Sequence, residues 1–157
     1  MKEEQYKILP NGHEVTCAVI IIGDNEQILG CHSTGKSFTL GSYDLPKGHS
    51  DEGEDDLDAA VREVKEETGW DISGFRDRIV DLGIVQYVSK KDLHGFLLQL
   101  SNEELKDIEH LKCKSFFDRN GVKLPEVNGF RYIQKSERNL FFQSIQNALV
   151  RLGVSDE

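Results

Sequence analysis

Apolar and polar positions along this chain follow two different periods. Val15–Ile22 is a nearly unbroken apolar run of strand length, and the turn residues Gly23-Asp24-Asn25 separate it from a second run, Gln27–His32. The pair predicts a buried strand with its hairpin partner. A loop rich in Ser, Thr and Gly follows, and Ser42–Pro46 leads into Lys47-Gly48. From Asp55 to Thr68 the pattern becomes helical. Leu57, Ala60, Val61 and Val64 fall in one arc at about 100° per residue, so that stripe is expected to face a core. Asp55 suits the N-cap, the acidic first turn suits the positive helix end, and Gly69 before Trp70 predicts a left-handed C-cap with an apolar clamp.

Further along, Arg78–Val88 and Leu93–Leu100 predict two strands joined by the polar turn Ser89-Lys90-Lys91-Asp92. Asn102–His110 predicts a short helix, Asp118-Arg119-Asn120-Gly121 a turn, and Val127–Ile133 a last strand. Ser136 is expected to cap a final helix, in which Leu140, Phe141, Ile145, Ala148, Leu149 and Leu152 keep a helical period as far as Gly153. Strands and helices interspersed in this way belong to the α/β or α+β class. The 157 residues, with no repeat and no proline-rich linker, fit a single domain over 1–157.

Charge narrows the chemistry. Asp and Glu number 28 against 19 Lys and Arg, a formal net charge of -9. Such a surface repels nucleic-acid backbones and anionic membranes, so no broad nucleic-acid binding and no membrane partner are expected. A small anionic substrate is compatible if something locally reverses the field, and a bound divalent cation would do so. No apolar run approaches the roughly 20 residues of a bilayer span, and the start Met1-Lys2-Glu3-Glu4 is acidic, which points to a cytoplasmic protein. Cys17, Cys31 and Cys113 form no CxxC pair and suit buried thiols better than a disulfide or zinc framework.

On the Asp55–Thr68 helix, Glu63 and Glu67 lie four apart on one flank of the apolar stripe, and Glu66 lies just beyond them. Three carboxylates on one face repel one another, by about 0.2–0.5 kcal/mol per exposed pair. One reading is a solvated acidic face. The other is a set of hard oxygen ligands at i, i+3 and i+4, as Mg²⁺ or Mn²⁺ needs while keeping waters and gripping phosphates.

The wider segment decides between them. Gly48 to Trp70 reads GHSDEGEDDLDAAVREVKEETGW and resembles the Nudix box, G-x5-E-x7-R-E-U-x-E-E-x-G-U, where U is a bulky apolar residue. Gly48, Glu54, Arg62, Glu63, Val64, Glu66, Glu67, Gly69 and Trp70 match every fixed position, by chance an event of roughly one in ten million for a chain of average composition. The resemblance implies an α/β/α sandwich with a mixed sheet and Mg²⁺-dependent hydrolysis (Mn²⁺ able to substitute) of a nucleoside diphosphate linked to another moiety. It implies Glu63, Glu66 and Glu67 as metal ligands, with the backbone carbonyl of Lys47 or Gly48 completing the site, and Glu54 and Arg62 as residues that orient them. Asn102–Pro125 looks like an insertion. After it, Glu126 resembles the family's acidic loop and is the candidate for a further ligand or the general base.

Leu45-Pro46-Lys47-Gly48-His49, with Gly53-Glu54-Asp55-Asp56-Leu57, is similar to the diadenosine tetraphosphate hydrolases. Lys47 would place an ammonium beside the metal, where a long polyphosphate chain needs a counter-charge, and Lys90 and Lys91 would add to it. Within the same family the alternatives are ADP-ribose or other nucleotide sugars, nucleoside triphosphates, inositol pyrophosphates and RNA 5′ ends. A catalytically silent nucleotide-binding module is the alternative of another class. Phe38, Tyr43, Phe75, Tyr87 and Phe130 are the aromatic residues from which a base-stacking partner would come. The sequence leaves oligomeric state open.

Overall fold

β1 (Glu14–Ile22) is the strand on which the rest is assembled. In the computed structural model, which describes residues 5–156, its Val15, Cys17, Val19 and Ile21 enter one hydrophobic cluster, and its Ala18, Ile20 and Ile22 enter another. A strand buried on both faces has no polar side to show, and so the sequence there is nearly all apolar. α1 (Asp56–Thr68) closes the first cluster with Ala59, Ala60 and Val64. α2 (Gln143–Arg151) closes the second with Ile145, Ala148 and Leu149. The architecture is the α/β/α sandwich that the sequence predicts. The acidic start Met1-Lys2-Glu3-Glu4 lies outside the described residues.

The sheet is mixed. β6 (Lys91–Gln99) runs parallel to β1 in continuous register from Glu14↔Lys91 to Ile22↔Gln99, and β5 (Val80–Val88) adds an antiparallel edge. On the other side of β1, β2 (Ile28–Ser33) pairs only at Ile22↔Ile28 and then diverges to β3 (Tyr43–Asp44) and β9 (Val127–Ile133). The vacated edge of β1 takes β4 (Lys47–His49), with Ala18↔Lys47, Cys17↔Gly48 and Thr16↔His49. That brings β4 against α1 and sets the stage for the site.

α1 has the predicted caps. The Asp55 side chain accepts from the Asp58 N–H, and Gly69 ends the helix at φ 75°. A Cβ on Gly69 would also meet the Lys112 carbonyl at 2.8 Å. That contact marks a departure from expectation. Asn102–His110 is not a helix; it contains one 3-10 turn, Ile108–His110. Glu104 holds Arg78 and the Ser101 N–H, and just beyond the segment Lys112 and Lys114 donate N–H groups to the Thr68 and Glu66 carbonyls at 2.8 and 2.6 Å. Those carbonyls are among the acceptors that a helix C-terminus leaves free, and long-range pairing wins over local propensity.

Of two further expectations the first holds and the second changes. The turn at Asp118–Gly121 belongs to a separate hairpin, β7 (Phe116–Arg119) with β8 (Val122–Pro125), whose Asn120 and Gly121 both take positive φ, 52° and 81°. Ser136 caps nothing; Gln134 and Glu137 form a reciprocal capping box on a short 3-10 segment, Lys135–Leu140. The chain then extends through Phe141, which is fully buried, and the Phe142 N–H bonds the Tyr43 carbonyl at 2.9 Å before α2 begins. Cys17, Cys31 and Cys113 are buried and free. Among the described residues no helix is long and apolar enough to cross a membrane.

Candidate active site

One turn and a half of α1 lines a cavity of about 590 Å³ with Arg62, Glu63, Glu66 and Glu67. β4 supplies Lys47, Gly48 and His49, the end of β3 brings Asp44, and Glu126 enters from the junction of β8 and β9. Lys91, at the start of β6, joins them, whereas Lys90 does not line the cavity. Lys90 instead occupies the β5–β6 turn with φ 62°, so its expected place near the substrate is not met.

Gly48 explains how Glu63 fits. A Cβ at Gly48 would lie 2.0 Å from the Glu63 carboxyl carbon, so the carboxylate occupies the space that any other residue would fill. The box glycine is required here by close approach of a side chain to the backbone, not by an unusual φ.

Arg62 organises the carboxylates. It grips Glu54 through two nitrogens at 3.1 and 3.0 Å, reaches Glu63 at 2.9 Å and Glu66 at 3.3 Å, and donates to the His49 carbonyl at 3.1 Å. A fork of donors in fixed geometry can satisfy this arrangement where a lysine cannot. Glu54 in turn accepts the Asp51 N–H at 3.0 Å. Burial alone would raise the Glu54 pKa, but hydrogen bonds from Arg62 and Asp51 hold it below its ordinary value. Glu54 thus touches Arg62, and Arg62 touches Glu63 and Glu66.

Glu63 and Glu67 are displaced in the opposite direction. Burial, then the neighbouring Glu66 charge, pushes Glu63 up to about 7, against the pull of Arg62 and with a further push from Glu126. Glu67 is only 8% exposed, and burial raises its pKa well above the usual carboxylate range, with Asp44 and Glu63 adding to the effect. The Lys47 N–H approaches its Oε1 at 3.4 Å. A crowd of desolvated carboxylates that resists ionisation lacks positive charge.

Lys47 supplies less of that charge than the sequence suggests. Its ammonium lies 2.9 Å from Asp44 and 5.8 Å from the Tyr87 ring centroid. Burial works to lower its pKa, but Asp44, Tyr87 and Glu67 outweigh it and raise the value. Asp44, three residues upstream, was legible only as part of a loop.

Among the described residues six lining carboxylates, Asp44, Asp51, Glu63, Glu66, Glu67 and Glu126, therefore face three cationic side chains, Lys47, Arg62 and Lys91. Among the described residues no group of three or more His, Cys, Asp or Glu side chains stands in a metal-holding arrangement. Glu63 and Glu66 are turned onto Arg62, and Glu67 lies toward β4. The donors nevertheless fit a hard divalent cation: they are all oxygens, they are close in sequence on one helix face, and two of them are short of counter-charge. Of the aromatic candidates, Tyr87 lines the cavity, whereas Tyr43, Phe75 and Phe130 pack in the hydrophobic clusters. Phe38 is 63% exposed and stacks on His32 at 3.6 Å. Tyr6 and His49 also line the cavity; sequence reasoning gave neither a role, because their meeting depends on long-range pairing.

The NUDIX domain family model matches residues 12–130 of this chain. An uncharacterized 17.7 kDa protein in the e-segB intergenic region of Enterobacteria phage T4 is 33% identical over 114 residues, covering 71% of this chain and 72% of that protein. The solved structure of a C. elegans Ap4A hydrolase binary complex superposes with a TM-score of 0.58 at 17% identity, over 88% of this chain and 95% of that one. The NUDIX domain of Shewanella oneidensis NrtR, complexed with ADP ribose, superposes with a TM-score of 0.61 at 13% identity, over 94% and 92%. At these identities the two structures share the fold.

Proposed function

This chain belongs to the NUDIX family of hydrolases, and on that premise we propose that it cleaves a phosphoanhydride bond in a dinucleoside polyphosphate such as diadenosine tetraphosphate, with Mg²⁺ or Mn²⁺ as the cofactor. The observation that carries the metal dependence is the charge of the cavity. Six carboxylates against three cations repel a polyphosphate, so the substrate enters only with divalent positive charge.

Glu63, Glu66 and Glu67 would hold the cation, with the Lys47 carbonyl as a further oxygen. A divalent cation there supplies charge to the phosphate oxygens and makes nearby water more acidic. Arg62, fixed by Glu54, keeps Glu63 and Glu66 in place through the reaction. Glu126, exposed at the cavity rim and 3.3 Å from the Ser115 hydroxyl, is the candidate to take the proton from the attacking water. The water oxygen bonds to phosphorus, the bridging P–O bond breaks, and a nucleotide leaves on the bridging oxygen.

A second reading has its own support. Because Asp44 already neutralises Lys47, little free cationic charge remains for phosphates beyond the cleaved pair. That favours a short diphosphate such as ADP-ribose, the ligand in the NrtR complex. Product analysis on a panel of diadenosine tetraphosphate, ADP-ribose and nucleoside triphosphates, with Mg²⁺ and with EDTA, decides between them. Turnover that persists in EDTA overturns both readings.

A further inference from the structure

Tyr6 stands outside the stretch that matches the family, residues 12–130, yet its ring lines the same cavity as Glu63 and Glu67. A strap carries it there. The Lys7 N–H bonds the Ser50 carbonyl at 2.8 Å, the Glu52 N–H bonds the Gln5 carbonyl at 2.8 Å, and Tyr6 bridges antiparallel to Asp51. In an extended segment successive side chains point to opposite sides. Lys7 turns to the start of α1, 2.6 Å from Asp56 and 2.5 Å from the Glu54 carbonyl. Tyr6 turns to the cavity and stacks on His49, with centroids 4.0 Å apart and planes at 16°.

Beside the stack Tyr6 remains 39% exposed. Tyr87, the other tyrosine in the lining, already has the Lys47 ammonium over its ring. His49 is held on β4 one residue from Gly48, against which Glu63 packs, so the aromatic pair adjoins the carboxylates. Among the described residues its buried Nδ1 has no hydrogen-bond partner, the nearest carboxylate oxygen of Glu14 standing at 3.6 Å. A flat aromatic face beside a phosphate-handling site matches one part of a nucleotide, its base.

We propose that Tyr6, backed by His49, is the platform on which the substrate's nucleobase stacks, so that the Gln5–Ile8 strap sets preference for base-bearing over base-free phosphoanhydrides. The substrate preference rests on the hydrolase reading above; the binding of a base does not. Removing one stacking partner of a base typically weakens binding by about tenfold.

The test uses the whole chain with Tyr6→Leu and Tyr6→Phe. Calorimetric titration with AMP in Mg²⁺ is expected to show a Kd about tenfold higher in Tyr6→Leu and close to wild type in Tyr6→Phe. The kcat/KM ratio of ADP-ribose over 5-phosphoribosyl 1-pyrophosphate, which has no base, is expected to fall about tenfold in Tyr6→Leu, through KM rather than kcat. AMP affinity equal to wild type in Tyr6→Leu overturns the platform. An equal loss on both substrates also overturns it, since the strap then only supports the fold. Should Tyr6→Leu not fold, the Tyr6 ring protons of the wild type must move on AMP addition, and a ring that does not respond overturns the proposal. A wild type that cleaves no nucleotide substrate overturns the hydrolase reading alone, and the AMP titration still decides the platform.

Discussion

The Glu63 carboxylate lies where a side chain on Gly48 would be, 2.0 Å from the position of a Cβ there. Gly48→Ala therefore forces Glu63 to move. The displaced group is the far end of a flexible side chain, and Gly48 itself has no positive φ. The cost should fall on activity more than on stability. We expect kcat/KM to drop by about a hundredfold, the scale of a lost charge-stabilising group, with a melting temperature within a few degrees of wild type. A large fall in melting temperature with proportionate loss of activity would show that Gly48 serves packing rather than Glu63.

Glu67→Gln keeps shape and removes one negative charge from a group 8% exposed and short of counter-charge. Stability without metal should rise slightly or stay level. Mg²⁺ should stabilise the wild type by about 2.7 kcal/mol at a hundredfold excess over Kd, and less in the variant. Turnover should fall by at least about a hundredfold. Melts in EDTA, in Mg²⁺ and in NaCl of equal ionic strength check this. If NaCl reproduces the Mg²⁺ shift, these glutamates are not the metal site.

Arg62→Lys should lower kcat by about ten- to a hundredfold, because an ammonium cannot hold Glu54, Glu63, Glu66 and the His49 carbonyl together. Activity near wild type in a steady-state assay would mean that these carboxylates need no common orienting group.

Lys47→Ala removes the partner of Asp44, so its effect has to be separated from a bare carboxylate in the cavity. Comparison with Asp44→Asn/Lys47→Ala does that. If Lys47 leaves Asp44 for a distal phosphate, both variants should lose more on diadenosine tetraphosphate than on ADP-ribose, by about 1.5–3 kcal/mol for one charge-assisted contact. Equal losses on the two substrates would show that Lys47 does not read chain length.

Acid should unfasten the start of α1. Burial would raise Asp56, but hydrogen bonds from His94 at 2.7 Å and Lys7 at 2.6 Å hold its pKa below the ordinary 3.8. A carboxylate depressed on folding contributes stability that is present above its unfolded pKa and is lost as pH falls through its folded value. Asp56→Asn should therefore be less stable than wild type at neutral pH, with the difference closing below about pH 4. Urea midpoints across that range measure it; a difference independent of pH contradicts the ionic account.

The helix and its glutamates were legible because everything that specifies them is local. Asp55 caps within one turn, Gly69 ends the helix in place, and the spacing of Glu63, Glu66 and Glu67 fixes their shared face once 3.6 residues make a turn. β1 was legible for a related reason: burial on both faces leaves an apolar run that no loop would carry. β3 and β4, of two and three residues, are too short to show a period; β3 exists through its pairing with β2, and β4 because β2 leaves the edge of β1 open to it.

By itself, then, the sequence determined the family, the sandwich and the shared helix face of Glu63, Glu66 and Glu67, since periodicity, capping and motif spacing are written within a few turns of chain. Tertiary structure alone decided which charges meet. Asp44 takes the Lys47 ammonium, Lys91 reaches the cavity while Lys90 turns away, and Tyr6 crosses 43 residues of sequence to lie on His49. The same holds for Asn102–His110, whose helical composition yields to long-range bonds from Asn102 to Asp24 and from Arg78 to Glu104. Hydrogen bonds and ion pairs between distant segments depend on strand order and register, and one residue's neighbours in sequence carry no record of either.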